Sequence, residues 1–132
     1  MDRVYRRRRV NPWDVAARLR SGDPDGMAVA VHFLVQRPRF HGSGYLFEKV
    51  AGAVAVGPDA GVLADDIRDV VRESARRALE RETRYVARLA ARYWTDSLAE
   101  DLAAIPGPTA TFLVVRALEV RSSYRAIGLV SG

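Results

Sequence analysis

The sequence predicts an all-α fold, and three observations carry that expectation. Four of the six prolines follow a residue suited to cap a helix: Asn11 before Pro12, Asp23 before Pro24, Gly57 before Pro58 and Gly107 before Pro108. Proline at the first helical position sacrifices no hydrogen bond, because that N–H has no intrahelical acceptor, and its fixed φ already suits a helix. Alanine is abundant throughout, which lowers the cost of helix formation. In the middle of the chain Ile67, Val70, Val71, Ala75, Ala78, Leu79, Val86, Leu89 and Tyr93 recur three and four apart, one apolar stripe for packing against other helices. With 132 residues, 48% of them hydrophobic, the chain is long enough for one core and too short for two.

The elements follow from the same signals. A short helix over 12–20 ends in a Ser-Gly-Asp turn, and an apolar helix over 24–36 ends at Arg37-Pro38-Arg39. A third helix spans 43–56, a long charged segment 58–104, and a last helix begins at Pro108 and frays towards Gly128. As one rod the charged segment would reach roughly 70 Å at about 1.5 Å per residue, too long for so small a globule, so it bends or breaks. Ser97 and Glu100 form a capping-box pair, which favours a break at 94–97. Acids crowd the helix starts, Asp14, Asp25, Asp65, Asp66 and Asp69, where the helix dipole welcomes negative charge. Residues 1–22 form an arm and short helix; residues 23–132 form one bundle of about four helices.

An α+β arrangement competes. Val29, Val31, Phe33 and Val35 alternate with smaller residues and 118–121 alternate cleanly, so 27–35 and 111–121 also suit strands flanking a long helix.

Charge is distributed very unevenly. Residues 1–20 carry seven arginines against Asp2 and Asp14, which accounts for the whole +5 of the chain; the other 112 residues hold 14 bases and 14 acids. A neutral domain with an arginine-rich arm is suited to a polyanion, and nucleic acid is the commonest. Twenty of the 21 bases are arginine, Lys49 being the exception, and Asn11 and Gln36 are the sole residues of their types. Heat-adapted chains show this depletion of thermolabile side chains; a GC-rich genome favours the same codons.

Composition also excludes chemistry. Without cysteine there is no disulfide, thiolate zinc site or thiol nucleophile. His32 and His41 lack the helical i, i+4 spacing with glutamate that builds a zinc site. His32 reads as a core or interface residue and His41 as a loop residue; a site joining His41, Glu48 and an aspartate has little to recommend it. The glycines of His41-Gly42-Ser43-Gly44 lack the spacing and lysine of a phosphate-binding loop. No catalytic constellation, metal site or cofactor is expected. No run approaches the roughly 18 to 20 apolar residues of a membrane span, and the N-terminus lacks a signal-peptide apolar region, so a soluble, unsecreted protein is expected.

The candidate nucleic-acid residues form three groups. Arg3, Tyr5, Arg6, Arg7, Arg8 and Arg9 supply guanidinium forks for phosphate oxygens and an aromatic to stack or pack on a sugar. Arg18 and Arg20 follow on the first helix, with Arg37 and Arg39 in the loop after the second. In the long segment, Arg68, Arg72 and Arg76, then Arg77, Arg81, Arg84, Arg88 and Arg92, form ridges. Pairing of Glu73 with Arg77, Glu80 with Arg84 and Arg92 with Asp96 would make these a solvated face laced with ion pairs; the alternative is a second line of phosphate contacts centred on Arg84 and Arg88. Base-specific reading wants Asn, Gln or Arg in the major groove, and one Asn and one Gln supply it poorly. Non-specific coating of the duplex is therefore expected over transcriptional regulation. For the arm alone, a solubilising tail, an importin-type signal and a membrane-surface anchor compete, the last weakened by the missing apolar stripe.

In layout the chain resembles the major capsid proteins of filamentous double-stranded-DNA viruses of hyperthermophilic archaea, the rudiviruses, lipothrixviruses and tristromaviruses. Arg3 and Arg6 to Arg9, followed by the helix with Arg18 and Arg20, match the family's DNA-facing element. The resemblance implies a helical bundle in a virion, with dimers or heterodimers of related coat proteins assembled helically around A-form DNA. A cellular chromatin or nucleoid protein, an RNA-binding protein stacking bases on Tyr5, Trp13 and Phe40, and a small enzyme or adaptor are the rival readings.

Overall fold

Six consecutive residues, Val29 to Leu34, are buried with at most 2% of their surface exposed. A strand or helix buried on one side cannot do this; the segment is a helix covered from all directions. The computed structural model describes residues 14–23, 25–39 and 42–131, with every side chain among them except those of Ala16 and Arg20. It contains α1 (Val15–Arg20), α2 (Gly26–Gln36), α3 (Ser43–Val56), a 3-10 turn (Gly61–Leu63), α4 (Ala64–Ala75), α5 (Thr83–Arg92), α6 (Asp96–Ala104) and α7 (Pro108–Ala126). Among the described residues there is no strand, and no helix is long and apolar enough to cross a membrane.

The fold class is therefore all-α, and the stretches at 27–35 and 111–121 that alternate like strands are the helices α2 and α7. Alternation in α2 carries no inside-outside information because both sides of the helix are covered. Among the described residues seven α-helices replace the expected bundle of about four plus a short leading helix. The difference lies in the charged segment, which breaks twice.

Helix α1 contributes Val15 and Leu19 to the core, four residues apart on one face. The turn after it is locked by Asp23, which accepts from Arg18 Nε at 2.8 Å and Nη2 at 2.5 Å and from the Asp25 N–H at 2.9 Å. Gly26 lets α2 cross close to α1: a Cβ there would stand 3.3 Å from the Arg18 carbonyl carbon. Pro12, Pro24, Trp13, Phe40 and His41 lie outside the described residues. Helix α3 buries Leu46, Phe47, Val50, Ala51 and Val54 and turns Tyr45, Lys49 and Val56 outwards.

Pro58 does not start a helix. The Asp59 carboxylate accepts from the Gly61 N–H at 2.7 Å and the Tyr93 hydroxyl accepts from the Ala60 N–H at 3.0 Å, holding the chain in a turn until α4 begins at Ala64. Helix α4 buries Ile67, Val70, Val71 and Ala75 as the stripe predicts. It then ends at 76–82, a break the periodicity conceals, where Thr83 Oγ1 accepts from the Glu80 N–H and the Thr83 N–H donates to the Glu80 carbonyl, at 3.0 and 3.2 Å. Ala78 and Leu79 consequently lie at the surface. The second break falls at 93–95, close to the expected place, but the cap is Thr95, not Ser97: Thr95 is extended, and its Oγ1 accepts from the Leu98 N–H at 3.1 Å. Pro108 sits in the first turn of α7 as predicted.

Helix α5 is the hub, packed between α7 on one side and α3 and α4 on the other; α2 lies against α1, α3 and α4, and α6 bridges α4 and α7. Ala87, Ala90 and Ala91 keep α5 slim enough for these approaches. Arginines from neighbouring elements satisfy carbonyls left open where helices end. Arg92 donates to the Ala55 and Gly57 carbonyls after α3, at 3.0 and 2.9 Å. Arg121 donates to Ala91 at 3.0 Å and Arg68 to Tyr93 at 2.8 Å, both at the end of α5.

Candidate nucleic-acid interface

What each arginine can offer a polyanion depends on what the fold already asks of it. Arg3, Tyr5 and Arg6 to Arg9 lie outside the described residues, as does the side chain of Arg20. Arg18 is held by Asp23. Arg37 is turned inwards: its side chain is 10% exposed, stacks 4.4 Å from the Phe47 ring centre, donates to Ser74 Oγ at 2.9 Å and stands 3.6 Å from the Glu82 carboxylate. Its φ of 46° is a left-handed helix end that this buried anchorage holds in place. Burial and the nearby Arg77 pull its pKa below the usual arginine range, with Glu82 acting in the opposite sense. Burial alone would raise the pKa of Glu82, but its own backbone N–H, Glu80 and Arg37 outweigh that and hold it down. Arg37 thus belongs to a buried ion cluster between α2, α4 and α5, while Arg39, two residues on, is exposed.

Of the arginines on α4 and in the turn after it, all but Arg76 have a carboxylate partner; Arg76, exposed, donates to the Arg72 carbonyl at 3.3 Å. Arg68 pairs with Asp65 at 2.7 Å, Arg72 bridges Asp69 and Asp101 at 2.8 and 2.7 Å, and Arg77 reaches Glu73 at 3.8 Å. Arg81 pairs with the buried Glu48 at 2.7 Å, so Glu48 has an occupation quite different from a site with His41. Arg92, directed to carbonyls of the α3 end, does not turn to Asp96, because α5 stops at Arg92 and Asp96 opens the next helix. Glu80 precedes α5, which removes the helical register for a pair with Arg84.

Arg84 and Arg88 share with the exposed Arg39, Arg76 and Arg125 the lack of a carboxylate partner among the described residues, and differ from these three in lying over an aromatic ring. Helix α5 contains three arginines and no acid, and neither Arg84 nor Arg88 has a carboxylate partner among the described residues. Both lie over the ring of Tyr85, at 5.1 and 4.6 Å from its centre, contacts that orient a guanidinium without neutralising it. Tyr85 in turn rests against α3 where Gly52 has no side chain; a Cβ there would stand 3.6 Å from the ring. Lys49, exposed and one turn before Gly52 on the same face, adds a cation. On the other side Arg88 and Arg92 lie close enough to Tyr124 of α7 to act on its hydroxyl, whose pKa burial nevertheless raises. The outcome is a cationic ridge, Arg84 and Arg88, oriented by Tyr85.

The sequence names Arg84 and Arg88 as candidates and leaves Lys49 and Tyr85 unnamed. The signals were present: the single lysine of the chain and an Arg-Tyr step inside an acid-free decad. His32 is 1% exposed within the core, and among the described residues no group of three His, Cys, Asp or Glu is placed to hold a metal ion. No protein-family model matches the chain, and neither a curated protein nor a solved structure matches it significantly.

Proposed function

We propose that the protein is a structural nucleic-acid-binding protein that coats double-stranded DNA without reading its sequence, as a virion coat subunit assembling helically with itself or with a related coat protein. The observation that carries this reading is the placement of charge. The whole net charge resides in residues 1–20, the remainder balances, and inside that balanced remainder Arg84 and Arg88 have no carboxylate partner among the described residues. Guanidinium forks grip phosphate oxygens bidentately and release the counterions condensed on them, which supplies affinity independent of base sequence. The arm provides five such groups in Arg3 and Arg6 to Arg9, and the α5 ridge provides a second, rigid line held by Tyr85. The resemblance in layout to the coat proteins of filamentous archaeal viruses supports the same reading.

The test is duplex-DNA binding across a salt series for the full chain and for a version lacking residues 1–10, with the products imaged by negative stain. With seven phosphate contacts the full chain has a slope of log affinity on log salt near about −6, falling to about −2 on truncation, at roughly −0.9 per contact. Regular filaments accompany the steep slope. Steep binding without filaments fits a chromatin-type protein instead, and absence of binding refutes the coating reading.

A further inference from the structure

The outward face of α7 carries an uncharged line along most of the helix. Pro108, Thr111, Val115, Leu118, Ser122 and Ala126 follow one another three or four residues apart, all exposed and all uncharged, in a chain whose residues are 28% charged. Val115 and Leu118, at its middle, are 55% and 47% exposed. The opposite face already buries Ala110, Leu113, Ala117 and Tyr124 against the bundle. Val115 and Leu118 thus set an apolar centre on the side of α7 that the bundle leaves open, and an apolar helix face is normally covered.

The spacing and the flanking charges specify what covers it: we infer that α7 packs antiparallel against α7 of a second copy of this chain, about a two-fold axis passing between residues 116 and 117. The seam 111, 115, 118, 122 has steps of four, three and four, and so is the same read in either direction. Antiparallel copies place Val115 against Leu118 of the partner subunit and Thr111 against Ser122 of the partner subunit, an isologous interface. Arg116 and Glu119, which pair with each other at 3.0 Å within the chain, lie on one flank. Antiparallel packing brings that flank against its own copy, so Arg116 meets Glu119 of the partner subunit twice over. Arg125 is then about 26 Å along the axis from its own copy, at about 1.5 Å per residue, whereas parallel packing would set the two side by side. The inference deepens the coating reading, on which its purpose rests, by naming the surface through which subunits join.

The test uses the full chain without nucleic acid, so that its failure and a failure of DNA binding are separable. The sequence has no cysteine, so Thr111→Cys and Ser122→Cys chains can be prepared, mixed and oxidised. Antiparallel pairing gives a disulfide-linked dimer in the mixture and none from either variant alone; self-linkage of either variant, or no linkage in the mixture, overturns the inference. By sedimentation equilibrium the wild-type chain dimerises in the micromolar range, and Leu118→Glu weakens the dimer by more than about tenfold, because two carboxylates are buried unpaired. Circular dichroism of Leu118→Glu remains that of the wild type, and so does thermal melting at concentrations too low for the wild type to dimerise, since the position is exposed in the single chain. A wild-type chain monomeric throughout, or a dimer indifferent to Leu118→Glu, refutes it.

Discussion

Mutating arginines in pairs separates those that hold the fold from those available to a polyanion. Arg84→Ala with Arg88→Ala removes two side chains whose described contacts are ring contacts with Tyr85. The cost to stability is about 1 kcal/mol, the size of such contacts at a surface. The effect on DNA is larger. Losing two phosphate contacts flattens the salt slope by about 1.8, so between about 50 and 200 mM salt the variant loses roughly tenfold less affinity than the wild type. Arg68→Ala with Arg72→Ala behaves in the opposite way. Those side chains, 19% and 21% exposed, cap the α5 end through the Tyr93 carbonyl and tie α4 to α6 through Asp101. The mostly exposed Asp65 adds little, and the loss totals about 2 kcal/mol, with no change of slope for the folded protein. Urea denaturation and fluorescence anisotropy on a labelled duplex read the two quantities independently. Equal flattening by both pairs would show that carboxylate pairing does not decide which arginines meet phosphate, and the ridge assignment would fall.

Other substitutions test the fold. Arg37→Ala strands the Glu82 carboxylate in its buried site and costs about 3 kcal/mol in urea denaturation; a loss under about 1 kcal/mol would mean that the cluster is solvated. Thr95→Ala lowers stability by about 1 kcal/mol through loss of the α6 cap, while Ser97→Ala stays within about 0.5 kcal/mol, and the reverse order would restore the capping box at Ser97. Gly107→Ala costs about 1 to 3 kcal/mol, measured as a lower melting temperature; at φ 111° the conformation is the obstacle, since a Cβ there meets nothing within 4 Å. With pH, stability is lost at both ends. Glu82 is held below its ordinary value of 4.5 in the folded chain, so below that value the unfolded chain takes up the proton first and stability drops as pH falls through the folded pKa. Tyr93 and Tyr124, raised above 10.0 chiefly by burial, give the mirror case: the unfolded chain loses its protons first, and stability declines as pH rises beyond 10.0. Denaturation midpoints across pH check both limbs, and Glu82→Gln must flatten the acid one.

How much of the fold was legible depended on whether one face of a segment meets water. Helix α3 was readable because its buried and exposed residues alternate with helical period, and the expected range 43–56 coincides with Ser43–Val56. Helix α2 was ambiguous because it has no water-facing stripe over Val29–Leu34, and α7 was ambiguous for a related reason, carrying Val115 and Leu118 on its outer side. The double break of the charged segment was illegible because the stripe keeps step across it. Val70, Val71 and Ala75 before the turn and Val86 and Leu89 after it fall on compatible positions, and among the stripe residues the exposure of Ala78 and Leu79 distinguishes a turn from a continuing helix. Pro58 misled for another reason: the competing Asx turn of Asp59 uses the same local chemistry that would have capped a helix.

The candidate site was legible as a list of arginines and not as a division of labour. Spacing along one helix can predict Glu73 with Arg77, which forms, but most partners here are distant in sequence: Asp101 for Arg72, Glu48 for Arg81, and the carbonyls of Ala55 and Gly57 for Arg92. Each such contact joins two separate elements, and it withdraws Arg72 from most of the solvent, with 21% of its side chain exposed, while Arg81 stays 64% exposed. Arg84 and Arg88 escape because what lies under them is the Tyr85 ring of their own helix, which rests on α3 at Gly52, and not a carboxylate. Glu48, the nearby acid of α3, is buried and spent on Arg81. The same pairing therefore leaves the ridge positively charged. A mutation that freed Glu48, such as Arg81→Ala, would cost stability without adding any charge to the ridge, whereas Gly52→Glu would place a carboxylate beside Tyr85 and cancel about one phosphate contact, a slope change of about 0.9.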